Sequence, residues 1–434
     1  MAQNLLIKGG RVIDPSAQTD ENLDVLILDG NVFRVAENIT PEEDIRILDA
    51  SDKIVMPGFI DMHVHLREPG FEYKEDIESG TKAAAMGGFT AVACMPNTEP
   101  ACDNDSVVSK IMERARKAGR VRVYPIGTVT KDRAGKELAE MGEMKAAGAV
   151  AFSDDGSAVA NAELLRCALE YLKSFDAVLI DHPEEESLSK EGQINYGLVS
   201  TMSGLRGVPG ESEEIIVARD ILITRLTGGR LHLAHISTRN SVDLIRQAKA
   251  RGIDVTCEVT PHHLVLTEEM ILETGYDTNT KVNPPLRTRE DVEALQRALA
   301  DGTIDAIASD HAPHHIDDKW VEYDYADFGI SGLETAVGLV IDKLVAPGLI
   351  DWMKMAETMS LNPARILGVP GGSLKEGATA DITIIDPGWE YSVDPRHFMS
   401  KGKNTPFAGW RLRGGAYATI VGGRVIMKDG RLAI

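Results

Sequence analysis

MPGFIDMHVHLREPG, residues 56–70, sets His63 and His65 one residue apart beyond an apolar run. Residues 53–60 are apolar and β-prone after a charged start, which predicts a strand with the two histidines following its end. At strand spacing, side chains two apart point the same way, so two imidazoles can grip one metal ion. A single His-x-His is weak in isolation, because two ordinary strand-end histidines give the same string. Its weight depends on what stands at the ends of the other strands.

Around this stretch the pattern alternates between strand and amphipathic helix. Candidate strands are 54–60, 89–95, 121–126, 149–152, 177–180, 230–234, 254–258 and 304–308. Candidate helices are 77–86, 106–118, 137–146, 161–172, 211–226, 241–251, 289–299 and 332–345, several opening on a capping residue such as Ser106 or Ser241 and several ending at a glycine such as Gly119, Gly148 or Gly252. Eight such units fit an α/β fold of the (β/α)8 TIM-like barrel type. A doubly wound open sheet is the alternative. Metal-capable residues after many different strands favour the barrel, since a closed ring brings all strand ends to one mouth.

Both ends of the chain read differently, as short strands among turns: 5–8, 10–13, 23–29, 32–36 and 46–49, then 382–385, 418–421 and 424–427. Neither set can bury a face alone. They predict one small β-sandwich domain, 1–56 plus 372–434, flanking a catalytic barrel at 57–371.

The balance of 46 basic against 67 acidic residues, a net charge of −21, opposes binding to nucleic acid or anionic lipid. No charged-then-apolar leader and no run of membrane-spanning length is present, so a cytoplasmic location is expected. Cys94, Cys102, Cys167 and Cys257 form no C-x-x-C pair and read as thiols rather than disulfides or a thiolate metal site.

The residues after the strands carry the chemistry. His63 and His65 follow the first, Asn97 the second, Asp154-Asp155 the fourth, His182 the fifth, His235 the sixth, His262-His263 the seventh and Asp310-His311 the eighth. Each alone has a plain structural explanation as a cap or core residue, as His232 has within strand six; together they point to a metal site at a barrel mouth. Imidazoles and carboxylates hold zinc while leaving a position for water. His63, His65 and Asp310 suit one ion and His182 and His235 a second, with a carboxylate between them. Asp155, next to Gly156, should reach further out than Asp154, although spacing alone leaves both open. Two such cations can hold a hydroxide near neutral pH. Asp310 could then take its proton and deliver it to a leaving nitrogen.

The strings PGFIDMHVHLREPG, ACMPNTEP, AFSDDG, LAHIST, EVTPHHL, KVNPPLR and SDHAPH resemble those of the amidohydrolase superfamily and, within it, the type I dihydroorotases. The likeness runs over nearly the whole chain. It implies a zinc enzyme of pyrimidine biosynthesis, with one or two Zn²⁺ per chain, that interconverts N-carbamoyl-L-aspartate and L-dihydroorotate. Carried over by position, it marks His63, His65, Asp155, His182, His235 and Asp310 as metal ligands, with Asp310 also catalytic. It marks His65, Arg67, Asn97, Asn283, His314 and the Phe328-Gly329 backbone as substrate contacts. Many cyclic amidohydrolases place a carboxylated lysine after strand four; here residues 152–156, FSDDG, contain none, and the type I dihydroorotases share that aspartate. The partners implied are a small anionic substrate and either further copies of the chain or aspartate carbamoyltransferase. The rival readings are a dihydropyrimidinase, hydantoinase or allantoinase acting on an uncharged ring, and a non-catalytic paralogue, which should have lost metal ligands.

A carboxylated substrate on so acidic a chain needs local positive charge, and Arg67 offers a planar fork for it. The competing reading pairs Arg67 with Glu68 or Glu72 at the surface. Asn283, between Val282 and Pro284, could equally be a turn former. His311 and His315 read as structural. The acidic, aromatic segment 316–330 reads as a lid or an ordinary excursion, and the insertion 184–211 as a shaper of the mouth or a subunit contact, its Glu184-Glu185-Glu186 a solvated helix start.

Overall fold

The apolar run at 54–64 is divided between two sheets in the computed structural model, which describes residues 4–40 and 45–433. Ile54–Pro57 belongs to a sheet made from the chain ends, while Phe59–Val64 is β1 of an eight-stranded parallel sheet. The single strand expected over 54–60 is therefore two, and His63 lies inside β1 rather than beyond it. Gly58 makes the crossing: a Cβ there would stand 2.2 Å from Thr90 Oγ1, and its N–H donates to the Asp381 carbonyl at 2.8 Å. Both flanks are buried, so burial runs on across the break, and Pro57-Gly58 is its one mark in the sequence.

The parallel sheet continues through β2 (Phe89–Cys94), β3 (Arg122–Gly127), β4 (Ala151–Phe152), β5 (Val178–Asp181), β6 (Leu231–Leu233), β7 (Val255–Val259) and β8 (Ala306–Ile307), paired in sequence order. The ring closes where Val64 bridges to His311 and the His65 N–H donates to the His311 carbonyl at 2.8 Å. Helices α1 (Ile77–Gly87), α2 (Asp105–Ala118), α3 (Met141–Ala147), α4 (Ala162–Leu172), α5 (Glu211–Thr227), α6 (Arg239–Ala250), α7 (Arg289–Asp301) and α8 (Leu333–Val340) follow the strands in turn. The fold is the expected (β/α)8 barrel. Ile60, Met62, Ala91, Ala93, Ala151, Ile180, Ala234 and Ala306 from strands around the ring share one buried cluster, and the small side chains let them fit together.

Helix starts differ from expectation where a neighbour competes for the cap. Asn104 accepts from the N–H groups of Ser106 and Val107 and so caps α2, and Thr238 accepts from the Ser241 N–H to cap α6; Ser106 and Ser241 lie inside the first turns. Residues 137–140 are not helical, because Leu138 bridges to Thr130 and the Ala139 N–H donates to Val129.

The chain ends meet in a separate nine-stranded sheet: Leu5–Asp14, Thr19–Leu28, Asn31–Ala36, Arg46–Asp49, Ile54–Pro57, Ile382–Ser392, Arg411–Val421, Arg424–Lys428 and Arg431–Leu432. The pieces expected at 5–8 and 10–13 are one strand with an irregularity between Ile7 and Gly10. Leu5, Ile7, Val25 and Ile27 share a core with Ile382, Ile384, Ala418 and Ile420, so each terminus supplies the apolar face that the other lacks. All four cysteines are free thiols.

Glu334, in the first turn of α8, accepts from the N–H groups of Met399 and Ser400 and is partly buried. Burial raises its carboxyl from 4.5 to about 7, outweighing those two bonds. The folded chain therefore binds this proton more tightly than the unfolded chain, and stability falls as pH rises from 4.5 to about 7. Relative to wild type, Glu334→Gln should gain stability over that window, by on the order of 3 kcal/mol, and none below it. Denaturant titrations of both proteins at pH 4.5 and 8 check this; a constant difference would refute it.

Candidate active site

The Asp155 carboxylate stands at the centre of the barrel mouth with four imidazoles around it. Its Oδ1 is 3.3 Å from His63 Nε2, 3.6 Å from His182 Nδ1 and 4.0 Å from His235 Nε2, and its Oδ2 is 3.6 Å from His65 Nε2. Asp310 Oδ1 completes the group, 3.1 Å from His65 Nε2 and 3.6 Å from His63 Nε2. All six residues are buried, and β1, β4, β5, β6 and β8 or the turns after them deliver them. Arg67, His235 and Asp310 are held in the left-handed region, with φ of 60°, 31° and 47°.

Asp154 turns away from the cluster. Its Oδ1 accepts from the Val129 and Thr130 N–H groups at 2.9 and 3.0 Å and its Oδ2 from the Thr130 hydroxyl, all in the segment after β3. This ties Asp154 to the neighbouring unit and leaves Asp155, of these two aspartates, to face the histidines.

Three of the histidines are oriented from behind. His63 Nδ1 meets Glu258 Oε1 at 2.6 Å, His65 Nδ1 meets Asn97 Oδ1 at 2.9 Å, and His182 Nε2 meets Glu184 Oε2 at 2.8 Å. Carboxylate and amide oxygens only accept, so each imidazole carries a proton on that side and turns its other ring nitrogen toward the aspartates, where a bound cation would take that nitrogen's lone pair. Glu258 also receives His232 Nε2 at 3.2 Å, which gives His232 a task the core reading missed. Glu184 is likewise no solvated helix start, since it turns inward and also accepts from Asn283 Nδ2 at 2.7 Å. Glu258 interrupts the apolar strand VTCEV, a signal visible in the sequence, whereas nothing local distinguishes Glu184 from Glu185.

The charges are mutually supporting. Burial disfavours the ionised carboxylates, but the Coulombic pull of His63 and His65, joined at Asp310 by a hydrogen bond from His65, holds Asp155 and Asp310 well below the usual carboxylate range. Burial works against a charged His182 too, and Asp155 and Glu184 nevertheless raise it to about 10. His235 falls to about 3 through burial and its cationic neighbours His182 and His63.

The donor set fits a divalent metal. Nitrogen and oxygen atoms of His63, Asp155 and His235 lie within 4.8 Å of one another, as do those of His63, His65 and Asp310. His63 Nε2 and His182 Nδ1, both facing Asp155, have no hydrogen-bond partner among the described residues. Buried polar atoms left without a partner and aimed at one carboxylate are what a cation would satisfy. A further group, His314, Asp318 and Asp327, is different: the Lys74 ammonium already occupies it, 2.7 Å from Asp327, 3.3 Å from Asp318 and 3.2 Å from His314 Nδ1.

Beside the cluster lies a cleft of about 230 Å³ lined by His65, Arg67, Asn97, Asn283, Phe328 and Gly329 together with the aspartates. Arg67 is not paired with Glu68, which binds Arg114, or with Glu72, which accepts from the Gly70 N–H. Its guanidinium donates to the Pro313 carbonyl and meets His314 Nε2, each at 3.3 Å, and no carboxylate lies within ion-pair distance among the described residues. His314 stands behind Arg67 rather than on the cleft wall, its Nε2 also 2.8 Å from the Phe328 carbonyl. The Gly329 N–H is engaged by the Lys281 carbonyl. Segment 316–330 is pinned at the mouth by lysines: Lys281 donates to the Tyr323 and Asp324 carbonyls, Lys319 to that of Asp327. His263 is structural, bonded to Thr260 and the Pro284 carbonyl, and His311 accepts from the Gly332 N–H, as expected for a supporting residue.

Comparison with known proteins follows the same lines. Residues 52–241 match a family model described as dihydro-orotase-like, and residues 225–427 one described as amidohydrolase family. The chain is 58% identical to a dihydroorotase of Pelotomaculum thermopropionicum over 98% of this chain and 99% of that one. It is 53% identical to a dihydroorotase of Citrifermentans bemidjiense over the same shares. Among solved structures, an L-hydantoinase (dihydropyrimidinase) from Arthrobacter aurescens superposes with a TM-score of 0.89 at 27% identity, covering 100% of this chain and 98% of that one. A dihydropyrimidinase from Brevibacillus agri, at 23% identity and TM-score 0.86, covers 99% and 96% and shares the fold.

Proposed function

This chain belongs to the dihydroorotase family of the amidohydrolases, and on that premise we propose that it interconverts N-carbamoyl-L-aspartate and L-dihydroorotate in pyrimidine biosynthesis, with zinc held by His63, His65, Asp155, His182, His235 and Asp310. The observation that carries the reading is the Asp155 carboxylate ringed by four imidazoles beside a guanidinium that has no acid partner among the described residues. An uncharged ring would leave that guanidinium without a counterion. When bound, zinc supplies Lewis acidity, polarising the reacting carbonyl and lowering the pKa of water to about 7.

The protein's own groups do the rest. Arg67 takes the α-carboxylate in a planar fork, and Asn97, Asn283 and the Phe328-Gly329 wall hold the ring beside Asp155. With Oδ1 turned to His65, Asp310 Oδ2 is the atom that exchanges the proton. In ring opening it accepts a proton from the attacking water and returns it to the ring nitrogen as the C–N bond breaks. In ring closure it takes the proton from the ureido nitrogen and gives it to the departing oxygen. Segment 316–330 excludes water from the cleft.

We place the protein in the cytoplasm; no helix among the described residues is long and apolar enough to cross a membrane. Self-association, or contact with aspartate carbamoyltransferase, through insertion 184–211 is supported by the exposure of Tyr196, Leu198 and Met202. The test of function is a ring-closure assay with N-carbamoyl-L-aspartate on purified protein, with metal measured on the same sample and dihydrouracil and hydantoin as uncharged controls. Turnover of the carboxylated pair that is lost to a chelator and restored by Zn²⁺ is expected. Turnover of the uncharged rings alone would sink the assignment.

A further inference from the structure

Glu184 stands where two parts of the site meet. Its Oε2 is 2.8 Å from His182 Nε2 and 2.7 Å from Asn283 Nδ2, and those two nitrogens are 3.4 Å apart. An amide NH₂ and a protonated ring nitrogen can only donate, so one carboxylate oxygen receives both bonds. Through the imidazole it acts on the metal cluster, because His182 Nδ1 faces Asp155 Oδ1 at 3.6 Å. Through the amide it acts on the cleft wall. The loop that brings Asn283 is held on its far side by His263, which bonds to the Pro284 carbonyl at 2.9 Å, and by buried Arg287, which bonds to Ser237 and Asn195.

We propose that Glu184 is a positioning residue that couples the substrate-facing amide of Asn283 to the hold of His182 on a metal ion. An acceptor behind an imidazole fixes its orientation and raises the basicity of the nitrogen that meets the metal. The Asn283 bond keeps the Glu184 carboxylate in place for that task. Asn283, which offers no ligand atom, therefore governs metal retention, and by reciprocity the ion affects what binds at Asn283. This coupling rests on the function proposed above, but its test does not depend on turnover.

The measurement is metal per chain, by mass spectrometry, after timed exposure of the zinc-loaded protein to a chelator. It compares wild type with Glu184→Ala, Glu184→Gln, Asn283→Ala and the double variant Glu184→Ala/Asn283→Ala, with thermal unfolding of each metal-free chain as the check on folding. Glu184→Ala should speed release by about 10- to 100-fold, and Asn283→Ala by about fivefold or more. The double variant should release no faster than Glu184→Ala alone, and Glu184→Gln, which keeps a neutral acceptor, should fall between wild type and Glu184→Ala. Unchanged release in Asn283→Ala, or additive effects in the double variant, would overturn the coupling. A wild-type chain that holds no zinc would overturn both the coupling and the function. Wild type that shows this release pattern but does not turn over N-carbamoyl-L-aspartate would remove the function and leave the coupling standing.

Discussion

Asp310→Asn is expected to lower kcat by about 10³-fold or more, at or above the middle of the range for loss of a positioned acid and base, while the chain folds and keeps most of its metal. The position is preset by its neighbours. The Ser309 N–H before it donates to buried Asp61 at 3.1 Å, and His311 after it bridges to both Val64 and Ile330. An asparagine can keep its Oδ1 near His65 Nε2, 3.1 Å away in the wild type, but it has no site for a proton at neutral pH. Burial opposes the Asp310 charge, but His65, through its hydrogen bond, and His63 hold the carboxyl below its ordinary range, so the wild-type group is ionised and ready to accept. Asp310→Ala, which removes the oxygen as well, should lose metal in addition to turnover. Parallel measurement of kcat and metal content in the two variants separates the roles. If Asp310→Asn with full metal kept more than about a tenth of the activity, the proton would be moving through another group.

The fold was legible because the strand ends carry the unusual residues: a histidine, aspartate or asparagine after β1, β2, β4, β5, β6 and β8 makes sense only where a closed ring gathers them. What local spacing could not supply was the choice between neighbours. Asp154 and Asp155 are chemically identical, and three hydrogen bonds from Val129 and Thr130, more than twenty residues away, claim the first. The same holds for Gly58, whose role depends on Thr90 and Asp381 in other elements. Glu184 was misread because a run of three glutamates after a strand is ordinarily solvent-facing, and its partner Asn283 lies 99 residues on. Glu258 could have been found, since a carboxylate inside an otherwise apolar strand must have a buried partner, and here it has two.

Arg67→Ala should raise KM for dihydroorotate by about 100-fold, close to 3 kcal/mol at 1.4 kcal/mol per tenfold, with a smaller fall in kcat. The size follows from the environment. Arg67 is largely buried, its backbone is in the left-handed region, and among the described residues its guanidinium is steadied only by the Pro313 carbonyl and His314, so its charge is available to a ligand. A hydrogen-bonded ion pair formed out of water is worth several times an exposed one, and its loss falls on binding rather than on the proton transfer at Asp310. Arg67→Lys keeps the charge but not the fork, and should recover only part of the loss. His314 offers an internal control, because it touches Arg67 but does not line the cleft; His314→Ala should raise KM by less than Arg67→Ala does. The contrast to measure is KM for dihydroorotate in the three variants against wild type. A rise in Arg67→Ala of no more than about twofold, the scale of an exposed ion pair, would mean that the carboxylate is held elsewhere, and the case for a charged ring over an uncharged one would fall with it.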